Sequence, residues 1–129
     1  MAEPEWIEIE AIEILHARSL ALHGGAEGIR DRGLLESALE RPKNHFFYEG
    51  VDDLVELAAT YAAAVSANHP FADGNKRAAF HCMALFLRLN GLRLEADRME
   101  AAAIILALAA GEVDAAGLAK WLRPRVQPL

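Results

Sequence analysis

Nine consecutive residues, His69-Pro70-Phe71-Ala72-Asp73-Gly74-Asn75-Lys76-Arg77, hold most of the chain's potential chemistry. A glycine-containing loop running into a helix N-terminus offers free backbone N–H groups and the positive end of the helix dipole. Both favour a phosphate. Gly74 lets the backbone approach such a ligand closely. Lys76 adds a point charge and Arg77 a planar fork, both suited to phosphate oxygens. Asp73 supplies a hard oxygen for Mg²⁺, which usually takes one or two carboxylates plus substrate phosphates. His69 is the general base of this set, since a neutral imidazole can take the proton from an attacking hydroxyl. By spacing alone, His69 is equally readable as a helix-ending residue and Asp73 as an N-cap paired with Arg77. The spacing of a P-loop is absent, as is any His/Cys spacing of a zinc site.

The elements that must position these groups have the helical period. The pattern predicts an all-α domain of about six helices, with the nine-residue loop between the third and the fourth. The first runs from Ile9 to His23, with Ile9, Ile12, Leu15 and Leu22 near one stripe and Gly24-Gly25 as its stop. Asp31 caps a short second helix that carries Leu34, Leu35, Ala38 and Leu39 and ends at Arg41-Pro42. A loop over 43–50 then holds Phe46, Phe47 and Tyr48. Three aromatics in a loop need a core pocket or a partner, so one or two belong in the core and the rest against a partner. Asp53 with Glu56 opens an alanine-rich third helix that stops near Asn68, ahead of Pro70. The fourth spans Asn75 to Leu89, with Phe80, Met83, Ala84 and Leu87 as its stripe. Leu92 to Leu94 is extended. Asp97 with Glu100 caps a fifth helix, and Asp114 starts a sixth that stops before Pro124.

Composition bounds the function. The 129 residues form one domain, 53% hydrophobic and 25% charged, with a net charge of −6 that disfavours nucleic-acid binding by bulk charge. One cysteine, Cys82, excludes an internal disulfide and fits a reducing compartment. Five glutamates and no Lys or Arg in residues 1–17 are the reverse of a secretory signal. The longest apolar run, Ala101 to Ala110, is half of a membrane span. A soluble cytoplasmic protein with no membrane contact is expected. Against the acidic whole, the stretch from Ala62 to Leu94 carries Lys76, Arg77, Arg88 and Arg93 and one acid, Asp73. A basic pocket in an acidic protein fits a small anion.

The nine-residue stretch resembles the signature loop of the Fic/Doc superfamily, specifically its death-on-curing (Doc) toxin branch. Residues 28–39 with Arg41-Pro42 are similar to the segment before that branch's flap, and Leu85 to Gly91 to the end of the helix after the motif. The resemblance covers most of residues 5–95. It implies a helical Fic/Doc fold in which the residue matching His69 deprotonates a protein hydroxyl that attacks a phosphorus of ATP. It also implies that Asp73 binds Mg²⁺, that Asn75 and Arg77 hold phosphates, and that Phe71 anchors the loop. Arg88 either reaches the ATP phosphates, by resemblance, or is a solvated helix-end cation favoured by the dipole.

Two departures separate this chain from the adenylylating pattern. Lys76 stands where that pattern has a second glycine, and Phe80 where it has a second arginine. Doc-type toxins share the lysine and are similar to kinases: they bind ATP in the opposite sense and pass its γ-phosphate to a threonine of elongation factor Tu, halting translation. The resemblance therefore implies a protein Ser/Thr kinase, with ATP and Mg²⁺ as requirements. The alternatives are a Fic-type protein adenylyltransferase and a non-catalytic antitoxin-binding module. No stretch fits the family's inhibitory-helix pattern [S/T]-x-x-x-E-[G/N], since Ser19, Ser37, Thr60 and Ser66 all fail it. Restraint is thus expected from a cognate antitoxin on another chain.

Overall fold

Aspartate side chains start most of the helices, each accepting the otherwise unpaired N–H groups of a first turn. The computed structural model describes residues 2–129. In chain order it contains α1 (Ile9–His23), α2 (Arg32–Glu49), α3 (Leu54–Asn68), α4 (Asn75–Leu89), β1 (Leu92–Leu94), α5 (Arg98–Ala109) and α6 (Ala115–Leu122). A 3-10 turn (Arg123–Arg125) and β2 (Val126–Pro128) follow. Asp31 accepts from the Leu34 N–H, Asp53 from Val55 and Glu56, Asp97 from Met99 and Glu100, and Asp114 from Gly117. The fold is all-α, as the periodicity predicts.

Helices α3 and α4 form the centre. The α3 alanines Ala58, Ala59, Ala62 and Ala64 are fully buried around more than one side of the helix, which lets neighbouring helices approach closely beside Leu57, Tyr61 and Val65. From α4, Cys82, Met83, Phe86 and Leu87 are fully buried in the same core. Phe80 and Ala84, on the predicted stripe, are only half-buried. Helices α2 and α6 flank α3, while α1 lies on α4. Strand β1 leaves α4 and pairs antiparallel with β2, with Leu92 opposite Pro128 and Leu94 opposite Val126.

Two expectations need correction. Helix α2 does not end at Pro42 but runs through it to Glu49, where Gly50 in the left-handed conformation caps it. Proline removes one helical N–H, but here its ring is buried and the continuing turns pack Phe46 edge-on against Trp6, at 5.7 Å between ring centres. Tertiary burial outweighs the local preference. On α1, Leu22 is 80% exposed, and the buried residues are Ile12, His16, Ser19 and Leu20.

Candidate functional site

The nine-residue loop is held from three sides. Helix α3 ends at Asn68, and His69 follows in the left-handed conformation (φ 48°, ψ 55°), alone among the described non-glycine residues in having positive φ. A side chain in that region is strained by about 1–2 kcal/mol and persists only where its surroundings enforce it. Arg30 enforces it: its Nε–H donates to the His69 carbonyl at 2.8 Å and its Nη2–H to the Asn68 carbonyl at 2.9 Å. The backbone beside Arg30 runs antiparallel to the loop, with Arg30 and Asp31 N–H groups on the Pro70 carbonyl and the Ala72 N–H on that of Gly28. Phe71 is 1% exposed and anchors the loop in the core.

The second hold comes from Asn75, the first residue of α4. Its Oδ1 accepts the Phe71 N–H at 3.0 Å, and its Nδ2–H donates to the Phe71 carbonyl, also at 3.0 Å. Those two bonds fix the amide's orientation, so the group it presents to His69 Nδ1 at 3.3 Å is an N–H. Asn75 is buried, and its side chain is spent on the loop. What it can offer a ligand is its backbone N–H.

The third hold is His16 on α1. It is 5% exposed, lies parallel to the Phe71 ring with 3.8 Å between centres, and donates its Nε2–H to the Asp73 carbonyl at 2.7 Å. A β-carbon on Gly74 (φ 76°) would sit 3.4 Å from that nitrogen, and one on Gly25 would sit 2.9 Å from Asp73 Oδ2. Both glycines keep room for the clamp. Sequence reasoning left His16 without a partner and gave Arg30 no role. The signal for His16 was its spacing of four from Ile12 and from Leu20, which puts it on the buried face.

Beyond these holds, the start of α4 presents donors that no protein group uses. The first helical bond of α4 runs from the Ala78 N–H to the Gly74 carbonyl, and among the described residues the N–H groups of Asn75, Lys76 and Arg77 have no protein acceptor. Lys76 and Arg77 are exposed beside them, and neither belongs to any ion pair among those residues. Asp73 is exposed and is not the helix cap; Gly74 is. The Gly74 and Ala26 N–H groups, at 2.8 and 3.3 Å, hold the Asp73 carboxyl below the usual carboxylate range, with Arg77 adding to them. An ionised, exposed carboxylate beside unpaired N–H groups fits a Mg²⁺ shared between one carboxylate and substrate phosphates. Among the described residues no three His, Cys, Asp or Glu side chains gather into a closed metal site.

Other expected site residues lie elsewhere. Arg88 is twelve residues beyond Lys76 on α4, about 18 Å along the axis. It is exposed at the helix C-terminus and does not reach phosphates held at residues 74–77. Phe46, Phe47 and Tyr48 are in the last turns of α2, not in a loop. Phe46 is half-buried and Trp6 stacks on Phe86 at 5.8 Å, so this aromatic group sits at the far end of α4 from His69. Phe47 and Tyr48 project outward, 55% and 84% exposed. Cys82 is fully buried and His81 half-buried. No helix among the described residues is long and apolar enough to cross a membrane.

Comparison with known proteins agrees with this geometry. The sequence model of the Fic/DOC family matches residues 6–87, which span α1 to most of α4. The chain is 36% identical over 117 residues to the protein kinase doc of Escherichia phage P1, covering 91% of this chain and 92% of that protein. It is 40% identical over 88 residues to the toxin Doc of Mycolicibacterium smegmatis, covering 66% of this chain and 65% of that protein. With the family's match running through both central helices and the loop between them, the chain belongs to the Fic/DOC family.

Proposed function

We propose that the protein is a Doc-type toxin and an ATP-dependent protein Ser/Thr kinase. Its γ-phosphate acceptor is a serine or threonine hydroxyl of a translation factor, elongation factor Tu, whose modification arrests translation. One observation carries this reading. Asn75 opens α4, pins Phe71, and touches the His69 ring, so the base and the phosphate-binding N–H groups belong to one rigid unit. The relative named a protein kinase supports phosphoryl transfer, and the relative named a toxin supports the toxic role.

In the reaction the His69 imidazole takes the proton of the acceptor hydroxyl. The oxygen bonds to the γ-phosphorus, the bond to the β,γ-bridging oxygen breaks, and ADP leaves. Phosphoryl transfer needs positioning and charge stabilisation more than covalent help. The backbone N–H groups of residues 75–77, with Lys76 and Arg77, supply both. A Mg²⁺ held by Asp73 and the phosphates would neutralise developing charge. The Asn75 N–H at Nδ1 favours the His69 tautomer with its hydrogen on Nε2, so proton acceptance at Nε2 requires that 3.3 Å contact to yield when the acceptor docks.

A cognate antitoxin on a separate chain restrains the enzyme in this reading. The exposed rings of Phe47 and Tyr48 are the docking patch for a protein large enough to reach from them to the loop. Incubating the purified protein with translation factors and γ- or α-labelled ATP tests the proposal. Label from the γ position alone, abolished by His69→Ala, is expected. Label from the α position would make the protein an adenylyltransferase.

A further inference from the structure

Glu13, His16, Ala17, Leu20 and Ala21 follow helical spacing along one face of α1. With the loop from Gly25 to Ile29 and with Phe71 they enclose a pocket of about 370 Å³. Two alanines on the helix and bare backbone at Gly25 and Gly28 leave the room, while Leu20, Ile29 and Phe71 make one wall apolar.

His16 decides what the pocket can hold. The residue is 5% exposed, and its Nε2–H is spent on the Asp73 carbonyl. Its Nδ1 has no hydrogen-bond partner among the described residues, and that atom is not sealed from solvent. In a neutral ring whose other nitrogen donates, Nδ1 is an acceptor. Acceptors on buried side chains are seldom left without a donor.

The other polar side chains there are carboxylates. Glu13 gives Oε1 to the Arg32 Nη2 at 3.1 Å and keeps Oε2. Glu27 is exposed and belongs to no ion pair among the described residues. No Lys or Arg lines the pocket. Its side chains therefore offer a ligand acceptors only, the reverse of the start of α4, where backbone donors are free. A phosphate or carboxylate would meet like charge. A neutral apolar ligand would cover the carboxylates and Nδ1 without pairing them. A positive group with N–H donors and a short alkyl stem satisfies all of them, its stem lying on the apolar wall. The volume is at the lower end of small-molecule sites, which suits one such group.

We propose that the pocket between α1 and the loop from Gly25 to Ile29 binds an alkylammonium group, its N–H donors shared between His16 Nδ1 and Glu27. That chemistry is common to a free alkylamine and to a lysine side chain of a partner protein. A donor at Nδ1 also holds His16 in the tautomer that reaches Asp73, so the occupant secures the nine-residue loop.

Nitrogen-15 NMR titrations of the protein with n-butylammonium, n-butyltrimethylammonium and a blocked peptide carrying one lysine among alanines test it. Butylammonium is expected to shift His16 Nδ1 and the amides of residues 25–29 saturably, with the ring still carrying its hydrogen on Nε2. The trimethyl analogue has the charge and stem but no N–H, and should bind about tenfold or more weaker. Glu27→Gln and Ala21→Trp, whose indole would fill the pocket from the exposed side of α1, should each weaken butylammonium by a similar factor. Unchanged amide spectra elsewhere report that both variants fold. A peptide that binds tighter than butylammonium makes a partner's lysine the source, and one that binds no tighter makes a free amine the source. No saturable shift, equal binding of the trimethyl analogue, or affinity that survives both substitutions overturns the proposal.

Discussion

The Nε2–H of His16 donates to the backbone carbonyl of Asp73 at 2.7 Å across 57 residues of chain, while the same ring stacks on Phe71. The bond ties α1 to the segment that carries the proposed Mg²⁺ ligand and leads into the proposed phosphate cradle. A loop with a strained residue at one end and a free helix N-terminus at the other keeps its shape only if such ties hold.

His16→Phe keeps an aromatic ring over Phe71 but removes the donor, and His16→Gln keeps a donor but removes the ring. Phosphoryl transfer by the phenylalanine variant is expected to fall about tenfold or more in kcat, with a smaller effect on KM. Glutamine should recover part of that loss. Steady-state kinetics of the two variants, alongside their melting temperatures, checks it; equal kcat in both would refute the positioning role.

The aromatic group on α2 divides by exposure. Phe46→Ala is expected to cost about 1–3 kcal/mol in denaturant unfolding, because it removes the edge-on contact with Trp6. Tyr48→Ala should stay within about 0.5 kcal/mol of wild type and instead weaken binding of a protein partner. Urea titrations and a pull-down with antitoxin or elongation factor Tu distinguish the two effects.

Burial is the largest influence on His81, and it depresses the imidazole with help from Arg77, His16 and His23. The unfolded chain then binds more protons than the native one between the depressed native value and the ordinary value near 6.5. Stability from a neutral His81 is present above about 6.5 and is lost as pH falls through the native value. Wild type should therefore lose more stability than His81→Asn between about pH 7.5 and about pH 5. Lys76, Arg77, Arg98 and His23 line the cleft between α4 and α5 that His81 also lines, so no acid there reverses the sign.

Cys82 is fully buried at the centre of α4, and burial pushes its thiol up. It should be inert to thiol reagents in the native state at about pH 8 and react fully in denaturant. Labelling on the unfolding time scale or slower is the expected result; rapid native labelling would contradict the packing.

Much of this was legible in the sequence. Helix starts were visible because Asp31, Asp53, Asp97 and Asp114 act locally, each on N–H groups two or three residues ahead. The loop was legible because its ligand-binding residue types are contiguous. Long-range facts were not. Pro42 reads as a stop until Trp6, itself stacked on Phe86, is brought against the turns beyond it. Strand β2 is three residues whose partner lies more than thirty positions away.

The central claim is that His69 and the N-terminus of α4 together transfer a γ-phosphate to a protein hydroxyl. Mass spectrometry of elongation factor Tu after incubation with the protein and ATP tests it most directly. A gain of one phosphate, about 80 Da, on a serine or threonine and none with His69→Ala is the predicted result. A gain of one nucleotide, or a phosphate still added by His69→Ala, would contradict it.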